Sequence, residues 1–128
     1  MGTSLDYTTD SDSLSLDFIA GLIAGEGTFM WINQNGQEVP VFQLKMHADE
    51  KPLFELIKKR LGLKEKVHEY THQNRHYVLL LVRKRSVIEN VIIPLFEGRL
   101  FGTKKGQFER WRDIYFQKKL SFIYNQHT

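Results

Sequence analysis

The residue most open to chemistry is Glu26, which stands between Gly25 and Gly27 after the run Ile19-Ala20-Gly21-Leu22-Ile23-Ala24. Leu14, Phe18 and Leu22, with Ile19 and Ile23, recur at three- and four-residue spacing, so a helix is expected from Leu14 to the glycines. The C-terminus of a helix carries partial negative charge, and a carboxylate there is misplaced unless something positive sits beside it. A divalent cation would serve, held by Glu26 and a freed backbone carbonyl, because hard oxygen ligands suit Mg²⁺. On these residues alone, a solvated glutamate after a capping glycine is the commoner arrangement. The same run holds Ala20, Gly21, Ala24 and Gly25 one turn apart. Small residues so spaced let a second helix approach closely. That is a reason to accept the roughly 1 kcal/mol that glycine costs inside a helix.

The elements that must position Glu26 follow from periodicity. Thr28 to Ile32 is aromatic and β-branched and reads as a strand. Asn33 to Gln37 carries an Asn-Gly turn signal. Val39 to His47 returns as a second strand, with Phe42, Leu44 and Met46 on one face and Val41, Gln43 and Lys45 on the other. A second helix is expected from about Asp49, as its N-cap, to Leu61, with Pro52 in the first turn and Gly62 as the stop. Lys66 to His72 and His76 to Arg83 read as strands around a Gln73-Asn74-Arg75 turn. Ser86 and Glu89 form a capping-box pattern for a third helix to about Phe96. Gly98 and Gly102 bracket a loop. A last helix starts at about Thr103 and reaches Tyr115 or beyond, with Phe108, Trp111 and Tyr115 as core residues. The order is α-β-β-α-β-β-α-α, an α+β fold with one antiparallel sheet and helices on one face. Residues 1–13 read as a flexible leader and 14–128 as a single domain.

Bulk properties limit the classes of function. The 128 residues suit one core, and 41% hydrophobic with 12% aromatic residues can pack it. There is no cysteine, which excludes disulfides and thiolate chemistry. No run is long and apolar enough to span a bilayer, and the expectation is a soluble intracellular protein. Net charge is +3. Without Asp6, Asp10 and Asp12 of the leader, 18 basic residues face the other 12 of the 15 acidic ones, a balance of +6. A basic surface suits a phosphate backbone, though charge alone also fits a merely soluble basic domain. His68, His72 and His76 would align on a helix as a zinc site, but their segment reads as a hairpin. With no cysteine, zinc is disfavoured.

The nine residues Ile19 to Gly27, followed by Thr28-Phe29, resemble the signature of the LAGLIDADG homing endonucleases in its variant ending Gly-Glu-Gly. Phe42-Gln43-Leu44, His47, Asp49 and Pro52-Leu53 are similar to the family's second strand and following helix. Gly62-Leu63 and Val67 suit its third strand. Pro94-Leu95-Phe96, Thr103-Lys104-Lys105, Phe108 and Trp111 are similar to its terminal portion. Coverage runs from about Leu14 to Tyr115.

The resemblance implies an αββαββα core whose saddle-shaped sheet lies along the DNA major groove. It implies a paired-helix interface involving Phe18, Ala20, Gly21 and Ala24. It implies Mg²⁺ held by Glu26 with the Gly25 carbonyl, and a basic residue near the scissile phosphate, Lys104 first and Lys105 second. His47 or Gln43 would assist where Met46 cannot. One motif copy implies a homodimer on a near-palindromic double-stranded target. The DNA-reading residues would be Gln34, Asn35, Gln37, Gln43, Lys45, Lys66, His68, Tyr70, His72, Asn74, Arg75 and His76, whose amides and cations can pair with base edges or phosphates. Arg83, Lys84 and Arg85 either touch the backbone or flank Ser86. Ala24 stands where the signature usually has Asp, which puts full activity in doubt more than metal binding. Two other roles occur in the family or follow from it: an RNA maturase acting on intron RNA, and an inactive DNA-binding relative.

Overall fold

The computed structural model describes residues 14–126, with side chains to 120. The expected leader, residues 1–13, lies outside the described residues. Helix α1 (Leu16–Glu26) leads into β1 (Gly27–Gln34) and β2 (Gln37–His47). A 3₁₀ turn (Ala48–Glu50) precedes α2 (Lys51–Leu61). Strands β3 (Val67–His72) and β4 (Arg75–Val82) follow. A helical segment then runs as α3 (Arg85–Val87), a π-helical turn (Ile88–Ile92) and α4 (Ile93–Phe96). Helix α5 (Gly102–Gln126) closes the order. The four strands form one antiparallel sheet in the order β1-β2-β4-β3. This is the α+β architecture expected from periodicity. Among the described residues no helix is long and apolar enough to cross a membrane.

Strand alternation sorts the sheet into two faces. Phe29, Phe42, Leu44, Val67, Val78, Leu80 and Val82 join the buried cluster with the helices. Phe29 is its hub, with ring centroids 5.1–5.5 Å from Phe42, Phe96, Phe108 and Trp111. Each such buried ring stabilises the fold by about 1.5–3 kcal/mol. Trp111, buried as expected, also donates its indole N–H to the Met30 carbonyl at 2.9 Å.

Both hairpins turn through two left-handed residues. Asn35 and Gly36 have φ of 55° and 85°, and Gln73 and Asn74 have φ of 51° and 64°. The first pair is the favoured chemistry for such a turn. The second has no glycine, and Arg75 already belongs to β4.

Two expected caps differ in the structure. His47, not Asp49, opens the helical turn after β2, its Nδ1 accepting from the Asp49 N–H at 3.1 Å. The pattern from Ser86 to Glu89 does not form a capping box. Helix α3 starts two residues earlier, with Lys84 in the cap position and no side-chain cap, and the Glu89 carboxylate is drawn to Tyr115 and Lys119 of α5 instead.

Candidate active site and nucleic-acid interface

Helix α1 is held firmly at its start. Ser15 Oγ accepts from the Phe18 N–H at 2.9 Å. Arg99 donates to Asp17 at 2.9 Å, and Arg60 donates to the Leu14 carbonyl at 2.9 Å. Ile19, Ala20 and Ile23 are buried against the sheet. The helix then stops at Gly27, whose N–H still bonds to the Ile23 carbonyl while its backbone turns extended. A Cβ on Gly27 would overlap the Ile23 side chain and stand 3.3 Å from the Phe42 ring. Only glycine permits this junction, where helix becomes strand within one residue.

Gly21 and Gly25 behave differently. A Cβ added to either would meet nothing within 4 Å, and both are exposed. The chain's own packing does not require them. Phe18, on the same helix, is 50% exposed. Ala20, expected on the same interface, is instead fully buried in the chain's own core. It sits one position off the outward stripe, and the 3.6-residue period turns it to the sheet. Ala24 is half-buried and packs against that core.

Glu26 is exposed at the foot of α1. Among the described residues it has no ion pair or side-chain hydrogen bond, and the helix's last turn has no basic residue of its own. The nearest compensation comes from α5. Lys104, half-buried in the first turn of that helix, donates its ammonium to the Gly27 carbonyl at 2.6 Å. This sets a cation one residue from Glu26. It also explains a lysine at a helix N-terminus, where the dipole disfavours it. Lys105, its neighbour, is exposed and has no such contact with the motif. Gln43 lies opposite Thr28 in register, close to the same foot. His47, three rows away, is exposed and engaged with Asp49.

Among the described residues no three His, Asp or Glu side chains gather to hold a metal alone. His68, His72 and His76 are not gathered into such a group. Glu26 offers one carboxylate, and the last helical turn offers carbonyls without helical donors. Mg²⁺ commonly takes one or two carboxylates, with substrate phosphate and water completing the shell. The donor set therefore fits a share of such a site.

The sheet face away from the helices carries most of the expected reading residues. By register, Gln34 and Gln37 lie at its far end, with Gln43, Lys45 and His47 along β2. His68, Tyr70 and His72 line β3, and Arg75 begins the same row on β4. Lys66 is exposed just before β3, and Asn35 and Asn74 occupy the turns. His76 does not belong with them. It pairs with Thr71 in the alternate row, on the helix side, beside Ala48 and Glu69. Beginning the strand at His76 hid this, because Arg75 already takes the open-face position. Sequence reasoning also missed the middle of the face: Met30, Ile32, Val39, Val41, Leu79 and Leu81 make it apolar. The signal was present in β1 and β4, where apolar residues run on both faces.

A family model described as LAGLIDADG endonuclease matches residues 19–115. No curated protein sequence matches the chain. Among solved structures, the I-LtrWI LAGLIDADG homing endonuclease bound to target DNA is 30% identical, with a TM-score of 0.71, over 83% of this chain and 38% of that one. The meganuclease I-SmaMI bound to uncleaveable DNA is 25% identical, with a TM-score of 0.70, over 82% and 38%. The homing endonuclease I-GzeII in complex with its DNA target shares the fold at a TM-score of 0.76 and 20% identity, over 93% and 41%. The chain thus spans about two fifths of the length of these proteins.

Proposed function

The chain belongs to the LAGLIDADG endonuclease family through residues 19–115, and on that premise we propose that it is one half of a site-specific DNA endonuclease. The assembled enzyme cuts both strands of a near-palindromic duplex by phosphodiester hydrolysis. The observation that carries this reading is the foot of α1. There an exposed carboxylate, Glu26, stands one residue from a carbonyl that holds the Lys104 ammonium at 2.6 Å. A fold that placed Glu26 only for solubility would have no use for a lysine tethered beside it.

The Glu26 carboxylate and the Gly25 carbonyl would hold a divalent cation, Mg²⁺ by the hardness of these oxygen donors. Such a cation would supply Lewis-acid activation of a phosphoryl oxygen and of water. Lys104 stabilises the charge that develops on the phosphate oxygens, fixed in advance by its bond to Gly27. Lys105 assists from the exposed side of α5. Gln43 orients water near Thr28. The open sheet face lies in the major groove, with Gln34, Asn35, Gln37, Gln43, Lys45, Lys66, His68, Tyr70, His72, Asn74 and Arg75 toward base edges and phosphates.

One motif per chain supplies one acid, and two strands require two. A second copy of the chain completes the enzyme through the outward stripe of Phe18, Gly21 and Gly25, with the half-buried Ala24 at its edge. The result is a homodimer, and its twofold axis demands a near-palindromic target.

The test is cleavage of candidate insertion-site duplexes in Mg²⁺ and in Ca²⁺, beside Glu26→Gln. Cutting is expected only for the unmodified protein in Mg²⁺, with binding in every case. Absence of any cutting, together with tight binding to intron RNA, overturns the endonuclease reading. Sedimentation on DNA should report two chains per site, and one bound chain overturns the homodimer.

A further inference from the structure

Resting on the DNA-reading role of the open face, we infer that Lys45 fixes one base pair of the target: it donates to O6 and N7 of a guanine near the cut. Three features of its setting point there. The first is position. Lys45 lies in β2 and follows Leu44, which pairs with Gly27 directly after Glu26. Its backbone is therefore one row past the α1 foot, and its ammonium leans from there across the open face toward Tyr77 of β4 and Tyr70 of β3.

The second feature is how the side chain is held. The Lys45 ammonium lies 4.4 Å from the centre of the Tyr77 ring and 5.7 Å from that of Tyr70. The two rings pair across β3 and β4 with centroids 5.5 Å apart. A lysine normally loses rotamer freedom when it is fixed. Here the π faces of two tyrosines restrict it before any ligand arrives.

The third feature is what surrounds the charge. Lys45 has no ion pair among the described residues, and its register partner is the apolar Leu79. Lys66 and Arg75, by contrast, are exposed before β3 and at the start of β4. Cations at the rim of a sheet in a groove meet phosphates. A restrained cation beside the foot meets base edges, and guanine alone offers two major-groove acceptors to it. Tyr77 and Tyr70 are positioning residues for Lys45.

Selection from a pool of random duplexes tests this, with the full chain and with Lys45→Met, Lys45→Arg, Tyr77→Phe and Tyr77→Leu. The unmodified protein should enrich a guanine at one inner position and at its symmetry mate. Lys45→Met should lower the preference for G·C there by about tenfold to a hundredfold and leave the other positions unchanged. Lys45→Arg and Tyr77→Phe should keep the preference, and Tyr77→Leu should weaken it. Replacing that guanine by 7-deazaguanine should reproduce part of the loss with the protein untouched. If Lys45→Met instead weakens every sequence equally, and the slope of log K on log salt falls by about one, Lys45 contacts a phosphate and the inference fails. If the unmodified protein enriches no sequence at all, the DNA-reading role itself fails and this assignment falls with it.

Discussion

Glu89 and Glu26 occupy two regions that the same fold builds to different ends. Glu89 lies on the π-helical turn and is enclosed by α5. Tyr115 O–H donates to it at 2.8 Å, and the Lys119 ammonium bonds its other oxygen. These bonds, Lys119 first and Tyr115 second, hold its carboxyl below the ordinary range against the opposing effect of burial. In return, burial and the bond to Glu89 push the Tyr115 hydroxyl up to about 12. Glu26 has no such partners among the described residues. Its neighbours, Gly25 and Gly27, leave it open, and the Lys104 ammonium is attached to the Gly27 carbonyl instead of to the acid. The region around Glu89 satisfies itself. The region around Glu26, on the proposed reading, is completed by a cation and a phosphate from outside.

Five substitutions or conditions would break or sharpen that contrast. Glu26→Gln should reduce cleavage by at least about 10³-fold, matching the several kcal/mol that a bound cation contributes. Melting temperature should stay the same; a large drop would mean that Glu26 has a structural role after all. Lys104→Met should reduce single-turnover cleavage by about 10²-fold, the usual loss for one charge-stabilising donor, with DNA affinity little changed. Glu89→Gln should do the reverse, lowering unfolding free energy by about 1–2 kcal/mol, since the pair is partly exposed, with no effect on the rate of cutting. Gly21→Ala should stabilise the isolated chain by about 0.5–1 kcal/mol, because the added methyl meets nothing within 4 Å. The same change should weaken association of two copies in sedimentation.

The smallest effect is in pH. A lowered folded pKa gives stability that is present above the ordinary carboxylate value and lost as pH falls through the folded value. Denaturation of wild type and Glu89→Gln should therefore converge below about pH 4.5, the unshifted value for Glu89. Tyr115 adds the opposite limb. Its stabilising contribution is present below about 10, its ordinary value, and is lost as pH rises through about 12.

Much of this was legible in local patterns. The four strands, the Asn35-Gly36 turn, the left-handed Gly62 stop at φ 70° and the helix leading to Glu26 all follow from short-range periodicity and turn chemistry. What escaped depended on partners far away in sequence. Ser86 and Glu89 read as a capping box because the rule sees only three residues ahead, while Lys119 is 30 residues on. Ala20 and Gly21 look alike as small residues, and only the packing of α1 on the sheet separates the one that is buried from the one that is not. His76 and Arg75 differ by one position in a strand, which is enough to reverse the face. Lys104 was singled out through family resemblance. Its bond to the Gly27 carbonyl joins residues 77 apart, and no local pattern announces it.

The division among the motif glycines has a practical consequence for protein engineering. Gly27 is locked by Ile23 and Phe42, whereas Gly21 and Gly25 owe nothing to their own chain. On the proposed pairing, interface recognition could therefore be rewritten at position 21, away from Gly25 and Glu26 at the foot. Two copies given unlike surfaces there, one with added bulk and one with the matching space, would pair with each other in preference to themselves. If the chain acts as the proposed homodimer, such an obligate heterodimer would join two different half-sites.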